Sequence, residues 1–392
     1  MRIMLTGDLF RFAGAEVSTL DLLTELQRRH ITAWLFVPQF KDEKISHEGV
    51  ITFKVPWRRP TSSEEIYLKL GNPMFWFLYT RSLVQAIRWL RPSILHSSGY
   101  FSTPGTSLAS RITKVPFISQ VRDYRLICSA ETCFKEGQIN ICGDYQRFRC
   151  MLSLTKSVAK SIYGVLIVWL MRYSYSRSKK IICISDFVAD ALMRIFDRKS
   201  LTVCYPVVSP CSIPHVAGEP KWSQYGGFHI LYYGRLAASK GAHLLLDCVE
   251  KGNSNVVLHI AGEGELLDSV QDYSRNSSRI IYHGQLRREE MYKLCGSVAL
   301  VVIPSLWPEP WGRTVAEPQL IGIPVIASRR GGIPEILPQH CIFEPCKDAL
   351  IAKIAEVMKQ PSKYLTQVDP RLATDAILVK MIQIYTDFQK RD

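Results

Sequence analysis

The sequence predicts an α/β protein made of two Rossmann-like, doubly wound domains facing one another across a cleft. Three observations carry that expectation. The chain has 392 residues, and about 150 residues per domain makes two domains the natural division. Short apolar runs alternate with helix-period runs, the mark of a parallel sheet wrapped by helices. That alternation pauses over residues 205–227, YPVVSPCSIPHVAGEPKWSQYGG, where four Pro and three Gly break any period, and then restarts.

Each element follows from its residues. Arg2 to Leu5 is a buried strand running into a loop, GDLFRFAGAE, that contains Gly7 and Gly14. Val17, Leu20, Leu22, Leu23 and Leu26 recur at helix spacing, and Ala33 to Pro38 is the next strand. Ser93–His96, Pro116–Val121 and Lys180–Ser185 are further strands. Beyond the linker come strand His229–Tyr233, loop GRLAASKG, helix Ala242–Glu250, strand Val256–Ala261, loop GEGE and a helix from Leu266. Ile280–Tyr282, Ala299–Ile303 and Pro324–Ala327 complete the second set of strands. The expected domains are residues 1–210 and 211–375. A C-terminal helix over 376–392 would pack back on the first domain.

Apolar residues make up 47% and charged residues 21%, which excludes a largely disordered chain, a collagen and a coiled coil. The net charge of +14 is uneven: residues 1–200 hold 29 basic and 16 acidic side chains, residues 201–392 hold 20 and 19. An anionic partner is therefore expected at the first half. The N-terminus MRIMLTGDLF lacks the apolar core of a secretory signal. The longest strongly apolar run, Ile162 to Met171, has ten residues, against about 20 for a membrane span. Eleven Cys, mostly in apolar stretches, fit a reduced, cytoplasmic location. Cys128, Cys133, Cys142 and Cys150 lie close together but lack the two-residue spacing of zinc knuckles, so a packed loop and a metal or disulfide site both stay open.

Three motifs could carry chemistry. In PSLWPEPWGRTVAEPQLIGIPVIASRRGGIPEI (304–336), Glu309 precedes a helix start near Gly312 and Glu317 falls within that helix. Helix-terminal amides there would form an anion site; the alternative is a pair of surface glutamates around a turn. GRLAASKG (234–241) follows a strand and brackets small residues with Arg235 and Lys240, a bidentate and a point-charge phosphate contact. It is not a P-loop, and a solvated turn with two cations is the competing reading. Gly14 opens the first helix, where a backbone amide could approach an anion. GEGELL has G-x-G without the third Gly, so a dinucleotide fingerprint is poorly supported.

Together these residues resemble the donor domain of family 4 retaining glycosyltransferases of the GT-B fold. GRLAASKG, HIAGEGELL, YHGQL, VVIPSLWPEPWGRTVAEPQLIGIPVIAS and GGIPEI match in order. HSSGYFSTPG, PFISQVRDYRLICSAETCFKEGQ and IICISDFVAD match the other half more loosely. The resemblance implies that Arg235 and Lys240 hold a donor diphosphate, that Glu317 meets the ribose hydroxyls and that Glu309 sits by the donor sugar. It places backbone amides of Trp311, Gly312, Arg313 and Thr314 near the sugar and distal phosphate. Gly262, Glu263, Gly264, His283 and Gly284 would line the base pocket, and Gly14 would reach the diphosphate. Two departures stand out. Arg122 precedes Asp123 where relatives often carry His, and a guanidinium cannot be a neutral base. EPQLIG puts Pro318 where the family has Ala, which reads as early-helix register.

The implied reaction is retaining transfer from a nucleotide-diphosphate sugar to a lipid-linked or cell-envelope glycan acceptor. No D-x-D triplet occurs, so metal independence and no cofactor are expected, with fixed cations stabilising the leaving group. Arg122 and Asp123 join Glu309, Arg235 and Lys240 as candidate catalytic residues. The same fold could instead house a sugar-nucleotide epimerase, a phosphorylase or a non-catalytic anion binder. Nucleic-acid motifs are lacking. Residues 51–200 hold 23 basic and 9 acidic side chains, with aromatics in LKLGNPMFWFLYTRSLVQAIRWLRP and KSVAKSIYGVLIVWLMRYSYSRSKK. These suit either peripheral attachment to the anionic inner face of a membrane or core helices with solvated ends.

Overall fold

The computed structural model describes residues 1–8, 14–60, 65, 69–128, 134–135, 138–139, 143–209, 226–251, 255–365 and 369–388. The chain divides into two units. One comprises Met1–Cys133, Ile139–Ser209 and Thr374–Asp392, the other Pro210–Ala373 with Phe134–Gln138.

In the first unit, strands β1 (Arg2–Thr6), β2 (Thr32–Gln39), β3 (Val50–Lys54), β4 (Ile94–Ser97) and β5 (Phe117–Val121) precede a short pair, β6 (Phe134–Lys135) and β7 (Gln138–Ile139). β8 (Ile181–Cys183) and β9 (Leu201–Val203) follow. Seven of these form one sheet in the order β3-β2-β1-β4-β5-β8-β9, paired parallel throughout. Parallel neighbours need crossover connections. Helices α1 (Gly14–Arg28), α2 (Pro73–Leu90), α3 (Ser102–Thr113), α4 (Asp144–Thr155), α5 (Val158–Ser176) and α6 (Asp186–Leu192) lie in them. Strand order reverses between β1 and β4, and there Asp8 accepts the backbone N–H of Phe101, at 2.9 Å, and of Ser102. It thus serves the start of α3, which has no side-chain cap of its own. Burial pushes the Asp8 carboxyl up, and those two N–H groups pull against it.

Phe36, Phe53, Phe75 and Tyr79 interlock at the heart of this unit, with Phe36 and Phe53 stacked at 5.2 Å and Tyr79 edge-on to both. The last helix of the chain belongs here too. Its Tyr385 hydroxyl meets Nδ1 of the fully buried His96 on β4 at 2.7 Å, and Thr374 Oγ1 donates to the Val208 carbonyl at its start.

The second unit repeats the plan. β10 (Phe228–Tyr233), β11 (Val256–Ala261), β12 (Ile280–Tyr282), β13 (Leu300–Ile303), β14 (Val325–Ser328) and β15 (Ile342–Phe343) form a parallel sheet in the order β12-β11-β10-β13-β14-β15. Helices α7 (Ala242–Lys251), α8 (Leu267–Asn276), α9 (Arg288–Cys295), α10 (Arg313–Leu320) and α11 (Lys347–Lys359) join the strands, and α12 (Thr374–Thr386) is the helix carrying Tyr385. Order reverses between β10 and β13, so the loops leaving those two strands splay apart from one crevice, where open α/β sheets bind ligands.

Strands β3, β6, β7, β9 and β15 escaped the sequence reading; β6, β7 and β15 have only two residues each, too few to display a period. Of the clustered cysteines, Cys128 is buried and Cys150 half-buried; Cys133 and Cys142 lie outside the described residues.

Candidate active site

The loop after β10 (Gly234–Gly241) and the loop after β13 (Pro304–Gly312) meet at the crevice of the second sheet. Leu306 and Trp307 both donate their N–H to the Ser239 carbonyl, at 2.9 and 2.8 Å. Lys240 Nζ reaches Glu309 Oε1 at 2.7 Å, and Ser305 Oγ donates to the same oxygen at 2.8 Å. Both members of the ion pair are mostly shielded, with side chains 21% and 12% exposed, which strengthens the attraction. The Lys240 ammonium also stands 5.8 Å from the Trp307 ring centroid.

Glu309 is held from its backbone as well. Its carbonyl accepts from Gly332 N–H at 2.7 Å, and a Cβ on Gly331 would come within 2.1 Å of that carbonyl. The GGIPEI turn therefore needs glycine to close over Glu309. Arg235, by contrast, is exposed, and its guanidinium makes no ion pair among the described residues; its carbonyl accepts the Tyr232 hydroxyl at 2.8 Å. One cation is thus locked to a carboxylate while the other reaches solvent.

Helix α10 begins where expected, with Gly312 as the residue before it at φ 107°. Trp311 is buried, and its Nε1 lacks a hydrogen-bond partner among the described residues. Glu317 is buried at 5% exposure. Arg313 Nε donates to its carboxylate at 2.5 Å, and Arg288 from α9 approaches to 3.6 Å. Those two guanidiniums already occupy the carboxylate expected to meet ribose hydroxyls. Arg288 had no signature in the sequence, being 29 positions away with no periodic relation to Glu317.

Pro318 corrects the early-helix expectation. It lies inside α10, sixth of its eight residues. A proline there deprives the carbonyl four residues back of its N–H partner. That carbonyl belongs to Thr314, and the Tyr233 hydroxyl at the end of β10 donates to it at 3.1 Å. A tyrosine from the neighbouring strand replaces the missing backbone donor.

Gly262 and Gly264 seal the other side of the loop after β10. A Cβ on Gly262, at φ 137°, would lie 1.9 Å from the Gly234 carbonyl; one on Gly264, at φ 154°, would lie 2.4 Å from that of Leu236. Glycine is required for the backbones to touch. Glu263 accepts the Leu236 N–H through its carbonyl, while Glu265, which the motif reading passed over, takes the Ala238 N–H on its carboxylate at 2.8 Å. Gly284 accepts from Gly262 N–H.

His283 ends a chain of imidazoles. His229 Nε2 lies 3.2 Å from the Gly226 carbonyl, which can only accept. His229 Nδ1 therefore accepts from His259 Nε2 at 2.8 Å, and His259 Nδ1 accepts from His283 Nε2 at 2.8 Å. Burial and the neighbouring imidazoles push His259 down to about 4, and burial lowers His283. With His259 and His283 held neutral, His283 Nδ1 is left as an acceptor.

Gly14, Arg122 and Asp123 belong to the first unit. Gly14 is exposed at the start of α1, and its carbonyl accepts from Ser18 Oγ. Arg122 turns its Nε and a terminal nitrogen onto Gln120 Oε1, at 2.9 and 2.6 Å. Asp123 accepts the Arg125 N–H at 2.9 Å. Adjacent in sequence, Arg122 and Asp123 have separate partners.

Known proteins match this arrangement in both halves. Residues 12–210 match the family described as Glycosyltransferase Family 4, and residues 223–369 match Glycosyl transferases group 1. A stretch of 113 residues is 34% identical to an uncharacterised glycosyltransferase of Methanocaldococcus jannaschii, covering 28% of this chain and 29% of that protein. The chain spans less than half the length of the curated relatives it matches. Sucrose-phosphate synthase from Thermosynechococcus elongatus shares the fold with a TM-score of 0.74, at 15% identity over 100% of both chains. Anabaena HepE in complex with UDP does so with a TM-score of 0.67, at 17% identity over 99% of this chain and 100% of that one. With each half matched in turn and the paired parallel sheets in common, the chain belongs to the family 4, group 1 glycosyltransferases of the GT-B fold.

Proposed function

We propose that this chain transfers a sugar from a nucleoside diphosphate sugar to a lipid-linked or cell-envelope glycan, with retention of anomeric configuration and without a metal ion. The carrying observation is the Lys240–Glu309 pair at the reversal of the second sheet, with solvent-facing Arg235 on the same loop and the start of α10 beside it. Breaking the bond between the anomeric carbon and the phosphate oxygen builds charge on the leaving diphosphate. Arg235, Lys240 and the amides of Trp311 to Thr314 supply fixed positive potential for it.

In this reading the acceptor hydroxyl attacks from the side the diphosphate leaves, and its proton passes to the departing phosphate oxygen. Glu309, tied to Lys240 and Ser305, stabilises the sugar instead of attacking it. Glu317 with Arg288 and Arg313 faces the ribose, and His283 offers Nδ1 as an acceptor to the base. UDP in the HepE complex supports a uridine donor as the first to try. The protein works in the cytoplasm, at the inner face of the membrane.

A screen of UDP-, GDP-, ADP- and CMP-sugars by calorimetry, followed by transfer with the donor that binds, tests the proposal. Full transfer in excess EDTA with an unchanged anomeric centre is expected. Activity restored only by Mg²⁺ or Mn²⁺ would overturn metal independence, and isomerised donor in place of a new glycoside would point to an epimerase.

A further inference from the structure

The exposed apolar surface of this chain is concentrated on three neighbouring helices. Of the seventeen large apolar side chains exposed among the described residues, eleven lie on α2, α3 and α5. Helix α3 packs against both α2 and α5, so the three form one layer of the first unit. Six of the eleven are on α5: Val158, Ile162, Leu166, Trp169, Leu170 and Tyr173. At 100° per residue they fill an arc of about 120° on one side of the helix. Ser161, Gly164, Ile167, Val168 and Met171 fill the opposite side and are buried. Helix α5 therefore has two apolar faces, one spent on the core and one turned outward.

The three helices themselves carry charge of one sign. Among the described residues, the acid that meets the stripe is Asp144 at the start of α4, which accepts from Trp169 Nε1 at 3.1 Å and is paired with Arg147. Residues 66–122 and 145–185, which contain all three helices, include no Asp or Glu. Arg81, Arg88, Arg111 and Lys160 are exposed on the same helices, and Lys156 is exposed just before α5. A second copy of this chain docking face to face would set this positive surface against itself. An anionic bilayer satisfies both features, taking the apolar side chains at the depth of its headgroups and the cations at its surface. No described helix is long and apolar enough to cross a membrane, and the buried face of α5 binds it into the fold, so it would lie flat.

We infer that the outer layer of α2, α3 and α5 is a bilayer-docking face, with the Val158–Tyr173 stripe inserted among anionic lipid headgroups. This deepens the reading of a lipid-linked acceptor and rests on it for its biological purpose, while the surface stands on the chain's own residues.

The test uses the full chain with phosphatidylcholine vesicles, with and without a phosphatidylglycerol fraction. Cosedimentation only with the anionic vesicles, weakened at high salt, is expected, with a blue shift in tryptophan emission from the exposed Trp169 and Trp89. Leu166→Glu with Trp169→Glu lowers partitioning at least roughly tenfold. Lys156→Ala with Lys160→Ala lowers it roughly fivefold per charge removed. Both pairs alter exposed positions and keep wild-type circular dichroism and wild-type turnover on a water-soluble acceptor. Absence of vesicle binding at low salt, or variants that bind like wild type, would overturn the inference. So would a wild-type dimer that ignores vesicles and that Leu166→Glu dissociates. Vesicle binding without sugar transfer would sink the proposed function and leave this surface standing; transfer without vesicle binding would do the reverse.

Discussion

Lys240 and Glu309 are 69 positions apart in sequence, yet Nζ and Oε1 are 2.7 Å apart. The topology of the second sheet makes them meet, because one ends the loop after β10 and the other lies in the loop after β13, on the two sides of the strand reversal. With Ser305 on the same oxygen, Glu309 holds the Lys240 charge in place; in the proposed reaction the donor diphosphate would compete for it.

Competition of that kind separates binding from turnover. Glu309→Gln frees Lys240 for the diphosphate, so nucleoside diphosphate affinity stays equal or rises while turnover falls at least tenfold, about 1.4 kcal/mol in barrier. Lys240→Ala and Arg235→Ala each lower turnover by at least the same factor. Calorimetry and steady-state rates read the two effects. A folded Arg235→Ala/Lys240→Ala double variant with near-wild-type rates would refute the assignment.

The hydroxyl of Tyr233 substitutes for the donor that Pro318 lacks. Tyr233→Phe leaves the Thr314 carbonyl unpaired beside the start of α10 and costs about 1–3 kcal/mol. Pro318→Ala restores a backbone N–H at that carbonyl and recovers part of the loss when combined with Tyr233→Phe, while alone it is neutral or stabilising. Urea unfolding of the wild type, the two single variants and the double variant measures the coupling. Additive effects would show that the two residues do not serve the same carbonyl.

Close backbone contact at Gly262 predicts a sharper loss. Gly262→Ala places Cβ against the Gly234 carbonyl at an unfavourable φ. It destabilises the second unit by about 2 kcal/mol or more and weakens nucleotide binding. Gly226→Ala, whose added Cβ meets nothing within 4 Å, serves as the comparison for steric effects. Equal stability of the two variants would remove the close-contact argument.

Acid should weaken the first unit through His96. Burial, aided by Arg122, pushes its pKa down from 6.5 to about 3. Between those values the unfolded chain binds a proton that the folded chain does not, so stability rises with pH. It is therefore fully retained above about 6.5 and lost as pH falls toward 3, by up to about 1.4 kcal/mol per pH unit. His259, pushed down to about 4, adds a second window in the other unit. His96→Gln lowers stability at pH 7 by breaking the Tyr385 contact but flattens the slope between pH 7 and pH 5. An unchanged slope in urea titrations would exclude His96 as its source.

Much of this was legible in the residues. Alternating apolar runs forecast both sheets, since a strand buried on both faces must be a short continuous apolar run. Gly234–Gly241 and the stretch from Pro304 stood out because small residues, cations and a helix start lie close together in sequence there, and the structure brings the two loops together. Arg288, Glu265 and the imidazole chain through His229 and His259 did not, because each acts across strands or helices and no spacing encodes such a contact. Nor could the sequence divide the apolar residues of α5 between core and surface, as both faces read alike until neighbouring helices claim one.

By itself, then, the sequence determined the paired α/β architecture and the family, and it singled out Arg235 and Lys240 as the two cations of the loop after β10. Only the tertiary structure decided that Lys240 is bound to Glu309 while Arg235 is exposed, that Tyr233 stands in for the donor missing at Pro318, and that the apolar stripe of α5 faces outward. Chain-local chemistry is written in neighbouring residues, whereas pairing and burial are set by which distant elements the sheet order brings together.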